Sequence, residues 1–208
     1  AEEKIYAREV LTRFMARDVL SRYADTRAAD WRFIAGEHGK PEIAPGLAGP
    51  QFNVSHTRDR VVMVVCAVSC GIDIEAVDRD SRFREVAERY FSVREAAALR
   101  ALDDVAARRR FIETWTLKEA FVKALGRGLS FSLLKQFWFD FDPPRLGMSK
   151  DAGIPRTWRF WRTVEPDSFA LACAVPDRTP RRLLLWNYGF GSAAVQGNLV
   201  MESFSGPQ

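Results

Sequence analysis

The stretch Trp115-Thr-Leu-Lys-Glu-Ala-Phe-Val-Lys-Ala-Leu-Gly126 constrains the fold more than any other part of the chain. Trp115, Glu119 and Lys123 fall at i, i+4 and i+8, so on an α-helix they make one stripe. Phe121, Val122 and Leu125 form the side that must be buried, and Gly126 stands where a left-handed residue ends a helix. A carboxylate and an ammonium therefore project together from a buried element. Taken alone, a Glu–Lys pair at this spacing also reads as an ordinary solvated surface pair, so its neighbours matter.

Gly71-Ile-Asp-Ile-Glu75 has a period of two, which sends Ile72 and Ile74 to one face of a strand and Asp73 and Glu75 to the other. Two carboxylates on one strand face repel each other unless a cation lies between them. A solvated outer face and a divalent-metal site are both compatible with this pattern. Upstream, Phe52-Asn-Val-Ser55 reads as a strand, His56 to Arg60 as a polar hairpin turn, and Val61 to Val68 as a fully buried partner strand.

The remaining segments suggest an α+β chain. From Glu2 to about Tyr23 the residues Ile5, Val10, Leu11, Phe14, Val19 and Leu20 recur at helical spacing, with Arg8, Arg13, Arg17 and Arg22 between them. Trp31 to Ile34 alternates as a short strand, and Gly36-Glu-His-Gly-Lys-Pro41 is a turn. Ser92-Val-Arg-Glu95 has capping-box spacing for a helix to Leu102, and a second helix follows Asp103-Asp104 and runs to Gly126. Phe137 to Phe141, Trp158 to Trp161 and Phe169 to Val175 read as strands. Helix followed by antiparallel strands thus occurs twice. The expected organisation is an N-terminal subdomain over 1–69, a C-terminal subdomain over 70–188, and a flexible tail over 189–208 that is rich in Gly, Ser and Ala.

With 208 residues and 47% hydrophobic content the chain is long enough for a substantial core. No apolar run approaches the roughly 18 residues of a membrane helix, and Ala1-Glu-Glu-Lys4 offers no signal segment, so a cytoplasmic protein without a membrane partner is expected. Cys66, Cys70 and Cys173 lie in or beside apolar runs and read as reduced core thiols. A net charge of +4 favours an acidic or phosphorylated partner. The basic residues are dispersed, and Arg108-Arg-Arg110 reads as a solvated helix face, which argues against nucleic acid.

Asp73, Glu75 and Glu119, with few histidines and no usable thiolate, imply a hard, oxygen-preferring ion, and magnesium is the natural candidate. Magnesium beside lysines and arginines implies phosphates. Gly39-Lys-Pro41, Phe52-Asn-Val-Ser-His56, Gly71-Ile-Asp-Ile-Glu75 and Trp115 to Gly126, in that order, closely resemble the 4′-phosphopantetheinyl transferases of the surfactin-synthetase type. The resemblance runs from about Arg8 to Val175. It implies a pseudo-dimer of two similar subdomains, each a helix packed on a small antiparallel sheet, with the active site in the cleft between them. It also implies transfer of phosphopantetheine from coenzyme A to a serine of an acidic acyl or peptidyl carrier protein, releasing adenosine 3′,5′-bisphosphate. A monomer is expected of such an internally doubled chain.

Residue by residue, the resemblance makes Asp73, Glu75 and Glu119 the magnesium ligands, and Lys118 and Lys123 the diphosphate contacts. Glu119 would take the proton of the carrier serine, with Lys123 beside it. Lys40 with Pro41, and Ser55 with His56, would hold the adenosine end and its phosphates, and Arg8, or else Arg13 or Arg17, would clamp the 3′-phosphate. Trp115 would pack beneath the site, and exposed apolar residues near Phe83, Phe91 and the Gly128 to Phe131 turn would meet the carrier. Thr57-Arg58 departs from the family's usual Ser or Gln followed by Gly, so the turn there is expected to differ. Relatives usually have a further segment ahead of the first helix. Two other classes use similar groups: another magnesium-dependent phosphotransferase or phosphohydrolase acting on a nucleotide, and a non-catalytic carrier- or nucleotide-binding module.

Overall fold

Helix α1 (Glu2–Leu20) is followed by β1 (Phe33–Ala35), β2 (Pro41–Ile43), β3 (Gln51–Thr57), β4 (Arg60–Cys66) and β5 (Gly71–Ala76). Then come α2 (Phe83–Tyr90), α3 (Val93–Arg100), α4 (Asp104–Leu125) and α5 (Phe131–Lys135). The remaining strands are β6 (Phe137–Phe141), β7 (Pro144–Met148), β8 (Trp158–Val164), β9 (Phe169–Pro176), β10 (Trp186–Asn187), β11 (Val195–Gln196) and β12 (Glu202–Ser205). This computed structural model describes residues 2–78, 82–150, 152–154, 157–164, 169–176, 182–184, 186–187, 195–196 and 202–205.

The fold is α+β, and among the described residues every strand pair is an antiparallel one. In the first half, the C-terminal end of α1 buries Met15, Ala16 and Leu20, and Leu20 clusters with Trp31 and Phe52. In the second, α4 lies on a four-stranded sheet ordered β12-β8-β9-β5. Asp103 caps α4 by accepting from the Ala106 N–H, and Gly126 ends it at φ 68°, a backbone angle glycine adopts without strain. These are the boundaries the sequence announced.

Strand β5 joins the halves. It pairs with β9 on one edge, while its other edge receives β3 through side chains: Asn53 Oδ1 accepts from the Ile72 N–H at 2.9 Å and Thr57 Oγ1 from the Ala76 N–H at 3.3 Å. The edge of the larger sheet is thereby covered. On the side of β5 away from α4, Ile72 and Ile74 pack with Trp161, Phe169 and Leu171. Cys70 and Cys173 are buried, and desolvation pushes the Cys70 thiol up to about 12, so it stays protonated and unreactive.

Several expectations change. Val10 and Phe14 are exposed rather than packed, because the face of α1 that carries them turns away from the body of the protein, which the helix meets through Arg8 and through Met15, Ala16 and Leu20. Strand β4 ends at Cys66 and fully buries only Val64, since Val62 and Cys66 on one face and Met63 and Val65 on the other are half-buried against two separate apolar clusters. Helices α2 and α5 and strand β7 were not foreseen. The tail is ordered at least over Glu202–Ser205, which pairs with β8 as an edge strand and buries Phe204 against Phe139 and Phe160. One aromatic side chain entering the core outweighs a composition that otherwise suggests a flexible segment. Most of 189–201 lies outside the described residues.

Candidate active site

Gly71, Asp73 and Glu75 share the face of β5 that looks at α4. A Cβ on Gly71 would stand 2.0 Å from the Ala120 carbonyl oxygen, so helix and strand approach this closely only with glycine there. Opposite Gly71 and Asp73 on β9 stand Ala174 and Ala172, equally small. Close approach brings Glu119, on α4, to the two strand carboxylates. One oxygen from each of Asp73, Glu75 and Glu119 lies within 4.8 Å of the others. Asp73 and Glu75 are only 2% and 4% exposed, which removes the reading of a solvated strand face.

Two neighbours hold Asp73 in place. Ser55 Oγ, from β3, donates to Asp73 Oδ1 at 2.7 Å, and Lys123 Nζ reaches the same oxygen at 2.5 Å. Lys123 also lies 3.1 Å from Ser55 Oγ and 3.6 Å from Glu119 Oε2. The i, i+4 stripe is therefore real, and it points into the carboxylate group rather than into solvent. Asp73 Oδ2, by contrast, is buried with no hydrogen-bond partner. A buried carboxylate oxygen without a partner is costly, and it belongs to a residue grouped with two further carboxylates. Three grouped carboxylates, one with an unsatisfied oxygen, fit a magnesium-type ion.

Beside the carboxylates lies an open cavity of about 370 Å³, lined by Arg8, His56, Thr57, Arg58, Glu75, Ala76 and Asp78. The Arg8 Nε is buried there without a hydrogen-bond partner. Of the three arginines considered on α1, Arg8 is the one that lines the cavity, whereas Arg17 bonds the Arg13 carbonyl and stacks on Phe33. Desolvation at the cavity wall lowers the pKa of His56, and the positive charge of Arg8 acts in the same direction. A cavity with an unsatisfied cationic donor beside a metal-ready carboxylate trio suits an anionic, phosphate-bearing ligand.

Lys40 and Pro41 are not brought into that cavity. Lys40 Nζ donates to the carbonyls of Cys70 at 3.0 Å and Lys123 at 3.1 Å, tying the β1–β2 turn to the last turn of α4. Burial lowers its pKa, with Cys70 and Glu42 partly opposing. Pro41 is exposed opposite Ala35.

Lys118 is a correction. It is fully buried on the far side of α4, where Nζ donates to the carbonyls of Leu134 and Phe137 at 2.7 Å each and pairs with Glu95 at 2.9 Å. All three of its donor hydrogens are used, so it cannot reach a diphosphate. Desolvation lowers its pKa, while Glu95 pulls the other way. Glu95 also accepts from the Ser92 N–H and hydroxyl and from the Phe139 N–H. The capping-box spacing flagged Glu95 as a helix cap, but nothing local announced its buried lysine.

Trp115 stacks with Phe91 and Phe111 and packs edge-on to Tyr90, a structural place as expected. Phe83 and Phe91 are buried in the same cluster and offer no surface, a second correction, whereas Leu129 and Phe131 are exposed at 54% and 44%.

Residues 69–174, half of the chain, match the family model described as the 4′-phosphopantetheinyl transferase superfamily. The match contains Asp73, Glu75, Glu119 and Lys123. The chain is similar to the 4′-phosphopantetheinyl transferase Sfp of Bacillus subtilis, at 37% identity over 61% of this chain and 55% of that protein. It is also similar to the 4′-phosphopantetheinyl transferase HetI of a Nostoc species, at 33% identity over 57% and 51% of the respective chains. The chain thus spans about half the length of the curated relatives it matches. A holo-[acyl-carrier-protein] synthase from Thermotoga maritima aligns in structure with a TM-score of 0.41 and 28% identity, over 51% of this chain and 61% of that one.

Proposed function

Since the chain belongs to the 4′-phosphopantetheinyl transferase superfamily, we propose that it moves the 4′-phosphopantetheine arm of coenzyme A onto a serine of an acyl or peptidyl carrier protein. The observation that carries this reading is the unsatisfied Asp73 Oδ2 among three converging carboxylates, beside a cavity whose Arg8 Nε is also unsatisfied.

Asp73, Glu75 and Glu119 would hold magnesium, which when bound neutralises charge on the diphosphate. Ser55 and Lys123 orient Asp73 for that task. Arg8 and His56 receive the phosphates of the nucleotide end. Glu119 takes the proton of the carrier serine hydroxyl as its oxygen bonds to the pantetheine phosphorus. The phosphoanhydride bond breaks, and its electron pair leaves on adenosine 3′,5′-bisphosphate, with the Lys123 ammonium near the developing charge. The chain's net charge of +4 supports an acidic carrier partner, and its free thiols support a reducing, cytoplasmic setting.

Incubation with coenzyme A, magnesium and apo-carrier proteins, followed by intact-mass analysis, tests the proposal. The phosphopantetheine mass increment on the carrier serine is expected. Absence of the increment on acyl and peptidyl carriers alike, with folded enzyme, overturns it.

A further inference from the structure

We propose that Arg58 is a binding residue for a phosphate of coenzyme A, held in reserve by Asp78 and exchanged onto the co-substrate when it enters the cavity. The inference rests on the transferase reading above and names a residue which that reading leaves unused.

Arg58 opens the two-residue loop between β3 and β4, whose last paired residues are Thr57 and Arg60. Favoured two-residue hairpin loops require positive φ at their first position, a place for glycine. Here φ is 47°, and Arg58 is the sole non-glycine residue with positive φ among the described residues. A long side chain is thus kept where a residue without one would be at ease. Strain retained at one position points to a use for that side chain.

The side chain lines the cavity together with Arg8 and His56, and its guanidinium pairs with Asp78, just beyond β5 on the opposing wall. The pair bridges the two halves of the molecule. Both partners are well exposed, at 60% and 67%, and an exposed ion pair is held weakly. A phosphate offers the planar guanidinium two charge-assisted hydrogen bonds and more negative charge than one carboxylate. Exchange of partners is therefore favourable once a polyphosphate lies in the cavity. It also removes Asp78 from the path of an anion that would otherwise be repelled. Glu75, the other acid on the wall, already belongs to the carboxylate trio.

Calorimetric titration of coenzyme A, with magnesium, into the wild type, Arg58→Gly and Asp78→Asn tests the exchange. Arg58→Gly suits the turn, so its melting temperature should equal or exceed the wild type's, while coenzyme A binds about tenfold more weakly and with a shallower salt dependence. Asp78→Asn releases Arg58 and should bind coenzyme A several-fold more tightly. Effects of opposite sign are the signature of the exchange. Unchanged affinity in Arg58→Gly overturns it, as does a loss in Asp78→Asn equal to that in Arg58→Gly, which would make the pair a strut. A wild type that binds no coenzyme A rejects the transferase reading itself, a result distinct from the other two.

Discussion

Helix α4 presents a lysine on each of two faces, one paired with Glu95 of α3 and the other with Asp73 and Glu119, and the two sets do different work. On the sealed face, Lys118 meets Glu95 and two carbonyls, and the two oxygens of Glu95 accept from Ser92, Lys118 and Phe139. On the cleft face, Lys123 meets Asp73 and Glu119, yet Asp73 Oδ2 has no partner. Burial does not separate them, for Glu95 and Asp73 are 5% and 2% exposed. Hydrogen-bond satisfaction does. A buried charge with every bond made is a structural element, whereas one left short is a site awaiting a ligand.

The largest expected effect tests the sealed face. Lys118→Met keeps the length of the side chain but strands the Glu95 carboxylate, and breaking a buried pair from one side costs about 3–5 kcal/mol. Chemical denaturation should show that loss. The double variant Lys118→Met/Glu95→Gln removes both charges and should recover part of it. A single variant of wild-type stability with weakened coenzyme A binding would instead return Lys118 to the phosphate site and erase the contrast.

The cleft face should respond in the opposite way. Glu119→Gln removes a metal ligand and the proposed base, so phosphopantetheine transfer should fall by about 10²–10³-fold, equivalent to roughly 2.7–4 kcal/mol in the transition state. Its apo stability should stay near wild type, because one of three mutually repelling carboxylates is neutralised. Transfer assays and thermal melts of the same preparation decide it, and near wild-type turnover at saturating magnesium would sink the assignment.

The cleft face was more legible in the sequence than the sealed one, for a physical reason. Asp73, Glu75, Glu119 and Lys123 sit at strand and helix spacings that put each pair on one face, so short-range periodicity found them. The facing of Lys118 depends on Leu134 and Phe137, 16 and 19 positions further on, and on Glu95, which packs across from another helix. Periodicity carries no such information. The same limit explains α1, whose apolar residues have helical spacing but of which only some find apolar neighbours, and Phe204, whose burial depends on pairing with β8. Helix α4, with a strong signal at each end, was legible residue by residue.

A smaller effect sharpens the contrast in the folded protein. Of the two faces, the cleft face has a carboxylate oxygen to spare, Asp73 Oδ2, so magnesium should raise the melting temperature. At a hundredfold excess over Kd the gain is about 2.7 kcal/mol, and each kcal/mol corresponds to about 2–4 °C for a chain of this size. Glu119→Gln should lose most of this increment. Differential scanning calorimetry with and without magnesium reads it directly, and an undiminished shift in the variant would mean that the ion binds elsewhere.

The smallest effect is a protonation change at the cavity rim. Desolvation, followed by the positive charge of Arg8, holds the pKa of His56 below its ordinary value of 6.5. In the window just below that value the unfolded chain therefore binds more protons than the native one, so this residue's contribution makes stability rise with pH there and level off above it. A bound polyanion reverses the local field: it offsets Arg8, favours the imidazolium and raises the His56 pKa. Coenzyme A binding should then take up a fraction of a proton near pH 6 and strengthen as pH falls toward that value. With two histidines in the chain, ring-proton NMR can follow both during a pH titration. The resonance lost in His56→Gln should titrate at higher pH once coenzyme A is present, and calorimetry in two buffers of different ionisation enthalpy should detect the proton uptake. An unmoved His56 resonance in a protein that demonstrably binds coenzyme A would place the phosphates away from this wall, leaving the carboxylate trio as the sole contact of the cleft face with its ligand.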